Sequence, residues 1–331
     1  MRRVGEPRLF RIAPAITGLT LLASLAAHAG CGGKPFAEGS SRELTVVTRL
    51  PADSPEMLLL RAVVEREALR IDEESAYAVR VVDPDDARAY RARNVLVVGY
   101  GDRGRIPAAC RRLQERLETS HEPYAFIPDL WLRGQAAGIF WTDTREEWTT
   151  AMARGQNRFF LELDRATYAA VRECVLSLPH DARAERRLER ELRFTLRVPR
   201  GFTVLIDRPS RAALLLEEGP PARLLRVQER PGVEPATRAA RAALARVFRP
   251  DERTLDWGEP VLVPDEMRGA VSQLHGRWED GEVSAAGPFR FYEVERRQRR
   301  YYVDLAVFAP GRFKVPYLRE LHALAETLEP R

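Results

Sequence analysis

The sequence predicts an α+β protein, built as two compact α/β-type layer domains after a signal peptide and a flexible tether. Three observations predict it. A basic and then apolar segment opens the chain, strand and helix patterns alternate in the first half, and strands, one helix, more strands and a terminal helix make up the second half. The predicted boundaries are a signal peptide at 1–30, a tether at 31–42, an N-terminal α/β domain at 43–185 and a C-terminal α+β sandwich domain at 192–331.

The first thirty residues have the pattern of an export signal. Four arginines between Arg2 and Arg11 precede the short apolar segment Ala15–Ala27, and small residues follow. This order of a basic region, an apolar region of about 7–15 residues and small residues defines a secretory signal. A spanning helix needs roughly 18 apolar residues, so the segment is too short for a transmembrane anchor. We therefore expect an exported protein.

Two cleavage positions remain open. Ala27-His28-Ala29 fits the A-x-A pattern of ordinary signal cleavage, whereas Ala29-Gly30-Cys31 resembles the end of a bacterial lipobox, in which the thiol is acylated and becomes the mature N-terminus. His28 stands where a lipobox usually has Leu. The glycine- and serine-rich residues after Cys31 suit a tether behind a lipid anchor. Lipidation at Cys31 would attach the protein to a membrane.

The charge of the chain gives no sign of a nucleic-acid partner. Residues 1–30 hold four Arg and one Glu, so more than half of the net charge of +5 belongs to this segment. In the rest of the chain Glu and Asp are interspersed with the arginines nearly everywhere, whereas a domain that binds a phosphate backbone shows a concentrated basic patch.

In the first half, apolar runs bounded by turn residues predict strands and 3.6-residue spacing predicts helices. The predicted strands are Leu44–Arg49, Tyr77–Val82, Asn94–Val98 and Ala137–Trp141. The predicted helices are Ser54–Arg70, Pro107–Glu118 and one that begins with a capping box at Thr144–Glu147. Phe159–Leu163 is read as a short strand or helix entry, and Asp164 as the N-cap of a further helix, Tyr168–Leu176. The charged segment Pro179–Arg193 predicts a solvated helix at the domain boundary.

The second half is predicted mainly as strands. These are Phe194–Val198, Phe202–Ile206, Ala213–Leu216, Leu224–Gln228, Ala270–Trp278, Phe289–Glu295 and Tyr301–Phe308. A helix is expected at Ala236–Phe248, and a terminal helix carries an apolar stripe that includes Leu318, Leu321 and Ala325.

Two C-terminal stretches, "LHGRWEDGEVSAAGPFRFYEVE" and "VDLAVFAPGRFKVPYLRELHALAETL", carry a family resemblance. Their Gly276 and Trp278, Gly287-Pro288-Phe289, Phe308-Ala309-Pro310-Gly311 and Tyr317-Leu318-Arg319 are similar to the signature end of domain of unknown function family 4837 (DUF4837). Members of that family are predicted bacterial lipoproteins. The resemblance thus implies acylation of Cys31 and a place in the cell envelope, and it supplies no catalytic residues.

The two other cysteines, Cys110 and Cys174, both fall in predicted helices. In an oxidising compartment they could form a disulfide, or they could be small buried hydrophobic residues. Spacing alone does not choose between these interpretations.

Gly99-Tyr100-Gly101-Asp102-Arg103-Gly104 is a formal G-x-G-x-x-G that follows an apolar strand. In a dinucleotide-binding fold these glycines let the backbone approach a pyrophosphate at a helix N-terminus. Here the next helix begins only near Pro107, and no acidic residue ends a second strand about 20 residues on. We therefore interpret the motif as a turn and expect no cofactor.

Two histidines are the candidates for a catalytic role. His275 lies near Glu279 and Asp280, and His322 stands four residues before Glu326 on the terminal helix. Either could belong to the acid/base centre of a periplasmic hydrolase, but no G-x-S-x-G elbow accompanies them. Because His322 lies off the apolar stripe, a solvated pair with Glu326 is the simpler interpretation.

A basic stretch joins the last two long strands. Its arginines, Arg296, Arg297, Arg299 and Arg300, could contact an anionic surface such as lipid head groups, or form an ordinary polar loop. Together with the tryptophans, they leave open a lipid- or polysaccharide-binding module. The leading expectation is an exported, lipid-anchored periplasmic or outer-membrane protein that binds or scaffolds an envelope protein or ligand, with the hydrolase and the binding module as alternatives.

Overall fold

The computed structural model describes residues 34–69, 74–230, 237–256, 267–281 and 285–331, so the signal segment and Cys31 lie outside the described residues. Within them, one five-stranded sheet, one seven-stranded sheet, two small two-stranded sheets and several helices confirm the predicted α+β class. No helix in these ranges is both long and apolar enough to cross a bilayer.

The first half forms a mostly parallel sheet. Its strands and helices, in chain order, are β1 (Glu43–Val47), α1 (Pro55–Val64), β2 (Glu67–Leu69), β3 (Glu74–Ser75), β4 (Ala78–Val82), β5 (Asn94–Tyr100), α2 (Arg111–Glu118), β6 (Tyr124–Pro128), β7 (Ala136–Thr142) and α3 (Arg145–Ser177). The strand order is β4-β1-β5-β7-β6, with β6 antiparallel to β7 and the other neighbours parallel, while β2 and β3 pair with each other.

The central strands β5 and β7 are buried on both faces, which explains their nearly continuous apolar sequences. Alternate residues such as Leu96 and Phe140 face the core under α1 and α3. Their neighbours Val97 and Ile139 face a second core under α2. The parallel sheet thus lies between two helical layers.

Two helices in this half form but have other bounds than those predicted. The helix predicted at Ser54–Arg70 ends at Val64, because the chain turns there to pair β2 with β3. Phe159–Leu163, predicted as a short strand or helix entry, and the separate helix predicted at Tyr168–Leu176 both lie within the single helix α3. Asp164 is therefore no N-cap: its carboxylate is buried in mid-helix and accepts from Arg319 and from the Tyr77 hydroxyl.

The second half forms an antiparallel sheet. Its elements are α4 (Ala182–Leu192), β8 (Phe194–Thr195), β9 (Thr203–Asp207), β10 (Ala212–Glu217), β11 (Ala222–Arg230), α5 (Arg238–Phe248), β12 (Glu252–Asp256), β13 (Ala270–Asp280), β14 (Ala285–Arg296), β15 (Arg299–Phe308), α6 (Val315–Ala325) and β16 (Glu329–Pro330). The strand order is β12-β13-β14-β15-β11-β10-β9, and β16 pairs with β8.

Helices cover both faces of this sheet. On one face, residues such as Leu225 and Val303 pack against α4, α6 and the end of α3. On the other face, Phe289 and Tyr302 pack against Leu244 of α5. The charged helix α4 forms as predicted, but Leu188 and Leu192 bury one side of it.

The terminal helix α6 also packs on the first half of the molecule. Val315 joins the core under α1 and α3. The Glu74 carboxylate accepts from the backbone N–H groups of Lys314 (2.8 Å) and Val315 (3.1 Å), and so satisfies two free donors where α6 begins. The two sheets are consequently joined through α6 and α3.

The predicted tether makes specific contacts from Lys34 onward. Lys34 Nζ donates to the carbonyls of Asp129 (2.7 Å) and Leu130 (3.0 Å). The Ala37 N–H donates to the Arg133 carbonyl at 2.8 Å, which places this segment just before β7. Residues from Lys34 thus lie along the edge of the sheet where the parallel strands begin.

Candidate functional site

A cleft of about 660 Å³ lies at the opposite edge of the five-stranded sheet, where the parallel strands end. It is formed by the last turn of α2, the residues before β6, the end of β7 and the first turns of α3. In open α/β sheets this carboxyl edge is where ligands bind. The charged, imidazole and aromatic side chains that line the cleft include Arg103, His121, Glu122, Trp141, Asp143 and Glu147.

The cleft is polar and solvent-accessible. Asp143 lies 3.7 Å from Arg103, and Glu147 accepts from the Asp143 backbone N–H at 3.2 Å. The Trp141 ring forms an apolar floor, only 7% exposed, and its Nε1 donates to the Gly101 carbonyl at 3.1 Å. These groups can hold a polar ligand against an aromatic surface.

Local packing and turn geometry explain the glycines of the G-x-G-x-x-G motif. A Cβ on Gly99 would lie 2.4 Å from the Trp141 ring, and Gly101 has a positive φ of 94°. The Gly104 N–H donates to Asp102 Oδ1 at 2.9 Å, so this amide already has a partner within the turn. The motif shapes the rim of the cleft through packing and turn geometry.

The two histidines singled out from the sequence lie near the same arginine. His275 on β13 is directly opposite Arg290 on β14, and the Arg290 charge also acts on His322 of α6. The prediction of a solvated His322–Glu326 pair was wrong, because His322 is only 1% exposed. The apolar stripe identifies one buried face of α6, whereas α6 is enclosed by α3 on one side and by the seven-stranded sheet on the other.

Burial and then the Arg290 charge lower the pKa of each imidazole to about 3, so both are neutral near pH 7. His322 Nε2 is 4.0 Å from Glu326 Oε1, which is beyond hydrogen-bond distance. Its ring contacts Tyr168 and Tyr292 edge-on. A base enclosed in this way lacks access to a substrate, so His322 is not placed to act as a catalytic base.

Four fully buried charged side chains form a cluster that the sequence analysis missed. Arg226 Nη1 donates to Asp304, and Arg241 donates to Asp304 (3.1 Å) and Glu252 (2.8 Å). Arg226 also pairs with Glu252. Burial alone would lower the pKa of Arg226, but Glu252 and Asp304 outweigh it and raise the pKa above its ordinary value. A signal was present in the sequence, since Asp304 interrupts the apolar part of β15 that follows Arg300.

The arginine stretch Arg296–Arg300 forms the tight turn between β14 and β15. Arg300 lies 2.7 Å from Glu293, Arg299 lies 3.7 Å from Glu229, and Arg297 lies 3.5 Å from Glu329. Arg296 is buried and donates to the Arg268 carbonyl. Each of the four guanidinium groups therefore has a partner within the protein.

Cys110 and Cys174 are free thiols in the structure. Cys110 is buried in the core under α2, where burial raises the pKa of its thiol to about 11. Cys174 belongs to α3, which packs on the other face of the sheet. Among the residues that the structure describes, no group of three or more His, Cys, Asp or Glu side chains could hold a metal ion.

Comparison with known families assigns the C-terminal part of the chain. Residues 260–327 match the family described as Domain of unknown function (DUF4837), which confirms the resemblance predicted from the sequence. No curated protein matches the chain. The matched segment contains β13, β14, β15 and α6, so it supplies the centre of the seven-stranded sheet and the helix that joins both halves. The chain is thus similar to the DUF4837 family over residues 260–327, about a fifth of its length.

Proposed function

We propose that this protein is an exported, lipid-anchored component of the cell envelope, periplasmic or on the outer membrane, that acts by binding or scaffolding rather than by catalysis. One observation carries the proposal: a basic segment, the apolar run Ala15–Ala27 and the lipobox-like Ala29-Gly30-Cys31 follow one another at the N-terminus. Residues 260–327 match DUF4837, and the resemblance of the sequence to that family, which implies a lipoprotein, supports the proposal.

The distribution of charged groups supports binding over catalysis. The buried ionisable side chains, including His322 and the Arg226–Asp304 pair, have protein partners or apolar surroundings and do not line the cleft. The cleft instead presents solvated side chains over the Trp141 ring. We take this cleft as the surface that receives the partner or ligand.

Acylation is tested by labelling cells with radioactive palmitate. The wild-type protein should incorporate label and sediment with membranes, whereas Cys31→Ser should do neither. Cys110→Ser and Cys174→Ser are matched controls that should keep the label, because they remove thiols in the folded body. Mass spectrometry of the mature N-terminus separates cleavage before Gly30 from cleavage before Cys31. Label that persists in Cys31→Ser, or full-length protein in the cytosol with residues 1–30 uncut, would overturn the proposal.

Binding at the cleft is tested by cross-linking in intact envelopes. Thr150 lines the cleft, so Thr150→Trp should fill part of it and abolish the cross-linked species. Arg165→Trp lies on the same helix but outside the cleft, and it should leave the species unchanged. If Thr150→Trp retained the cross-linked species to the same extent as Arg165→Trp, the cleft would be excluded as the binding surface.

A further inference from the structure

The edge of the five-stranded sheet where the parallel strands begin carries two exposed phenylalanines. Phe36 is 40% exposed and Phe313 is 54% exposed. The Arg133 guanidinium lies 4.7 Å from the Phe36 ring centroid, and the Arg42 guanidinium lies 3.6 Å from that of Phe313. Each aromatic ring is thus stacked with a cation at the surface.

The two Phe–Arg pairs belong to one edge. Arg133 precedes β7 and Arg42 directly precedes β1, and only β5 separates these two strands. Neighbouring strands are about 4.8 Å apart, so β1 and β7 themselves are separated by two strand spacings, or roughly 10 Å. Two acidic side chains next to them face cations: Glu173 lies 2.5 Å from Arg133, and Glu74 lies 3.4 Å from Lys314.

This edge is also the one that the predicted lipidation site must reach. Cys31 stands three residues before Lys34, whose Nζ is fixed on the Asp129 and Leu130 carbonyls. A residue spans at most about 3.6 Å, so a chain of three residues reaches no farther than about 11 Å from Lys34. A lipid on Cys31 would therefore hold this edge close to the bilayer.

We propose that the bilayer surface itself is a partner of this edge: when Cys31 is lipidated, Phe36 and Phe313 enter the lipid interface and the cleft faces away from the membrane. The inference rests on the proposed lipid anchor. Phenyl rings gain from leaving water, while stacked guanidinium groups can contact phosphate head groups. The seven residues of β7 span about 23 Å, which separates the cleft at its end from the membrane-facing edge.

The orientation is tested by fluorescence quenching with the mature protein acylated at Cys31. Phe36→Trp, Phe313→Trp and Leu58→Trp are each reconstituted into phosphatidylcholine–phosphatidylglycerol vesicles with brominated acyl chains, and the wild-type tryptophan signal is subtracted. Leu58 is the matched control: it is 56% exposed and lies in the first turn of α1, beyond the end of β1. We expect the added tryptophans at 36 and 313 to be quenched at least twofold more than the one at 58.

The outcomes separate the orientation from the anchor. Vesicle flotation is measured on the same samples, with Cys31→Ser as the unanchored protein. If the wild-type chain does not float with vesicles, the anchor and the orientation both fail. If it floats but the tryptophans at 36 and 313 are quenched no more than the one at 58, the anchor stands and the orientation is overturned. Equal thermal unfolding of the three tryptophan variants shows that the fold is retained.

Discussion

Asp164 of α3 and Arg319 of α6 form an ion pair in which each side chain is only 1% exposed. The Tyr77 hydroxyl donates to Asp164 at 2.9 Å, and Arg319 donates to the Ser41 carbonyl at 2.9 Å. Burial and the Asp164 charge raise the pKa of Tyr77 well above its usual range, so its hydroxyl stays protonated as a donor. This network connects the DUF4837 segment to the first half of the molecule.

Removing one charge of this pair should be strongly destabilising. Asp164→Asn leaves the Arg319 guanidinium buried without its counter-charge, and we expect a loss of about 3–5 kcal/mol in the free energy of unfolding. Urea denaturation measures it. The matched control is Glu162→Gln on the same helix, where the pair with Arg165 is exposed and contributes about 0–1 kcal/mol. The double variant Asp164→Leu/Arg319→Met should lose less than the sum of its two single variants. An Asp164→Asn loss as small as that of Glu162→Gln would show that the pair does not hold α6 in place.

The buried arginine–carboxylate cluster under α5 gives a second prediction. Asp304→Asn leaves Arg226 and Arg241 to share the single carboxylate of Glu252, and we expect a loss of about 3–5 kcal/mol in unfolding free energy. Asp85→Asn breaks an exposed pair with Arg49 and should change it by less than about 1 kcal/mol. Denaturant unfolding of both variants at neutral pH gives the comparison. Similar midpoints for both would contradict a structural role for the cluster.

Stability should also depend on pH through His322. Its pKa is about 3 in the folded protein and about 6.5 when unfolded, so the unfolded chain binds one proton more between these values. Above about pH 6.5, His322 is neutral in both the folded and the unfolded state, so it does not change the free energy of unfolding. As the pH decreases from about 6.5 toward about 3, the free energy of unfolding falls. One proton corresponds to about 1.4 kcal/mol for each pH unit.

His322→Phe removes this proton-binding group and should flatten the slope of unfolding free energy against pH by up to one proton between about pH 4 and 6. Tyr168→Phe is the matched control, since the Tyr168 ring contacts the His322 ring and its substitution removes no imidazole. Urea midpoints measured at several pH values give both slopes. A slope in His322→Phe that equals the wild-type slope would mean that the folded protein protonates His322 at its ordinary pKa.

The strands and helices with strong local patterns could be predicted, and the buried charges could not. The apolar runs of β5 and β7 and the capping Thr144 carry their information within a few residues. Asp164 resembles an N-cap in sequence, because the partner that holds it in mid-helix, Arg319, is 155 residues away. The exposure predicted for His322 was wrong for a related reason. The apolar stripe marks one buried face of α6, whereas α6 is enclosed on two sides in the structure.

The candidate cleft could not be predicted from the sequence either, although the G-x-G-x-x-G motif at its rim was interpreted as a turn. Its walls come from α2, β7 and α3, and only the parallel pairing of β5 with β7 brings them to one edge. The docking of residues after Lys34 depends on carbonyl groups almost one hundred residues away. A glycine-rich composition predicts a tether and contains no information about that contact.

The glycines offer a prediction that separates packing from cofactor binding. Gly99→Ala would place a Cβ 2.4 Å from the Trp141 ring, so the ring or the strand must move, and we expect a loss of about 1–3 kcal/mol in unfolding free energy. Trp141→Leu in the same chain should recover part of that loss, because it removes the atoms in conflict. Gly155→Ala is the matched control: it lies within α3, where an added Cβ meets nothing within 4 Å, and it should gain about 0.5–1 kcal/mol from lower backbone entropy. If Gly99→Ala were as stable as the wild type, the close contact with Trp141 would not explain the glycine, and the reason for the motif would have to be sought in a ligand at the rim of the cleft.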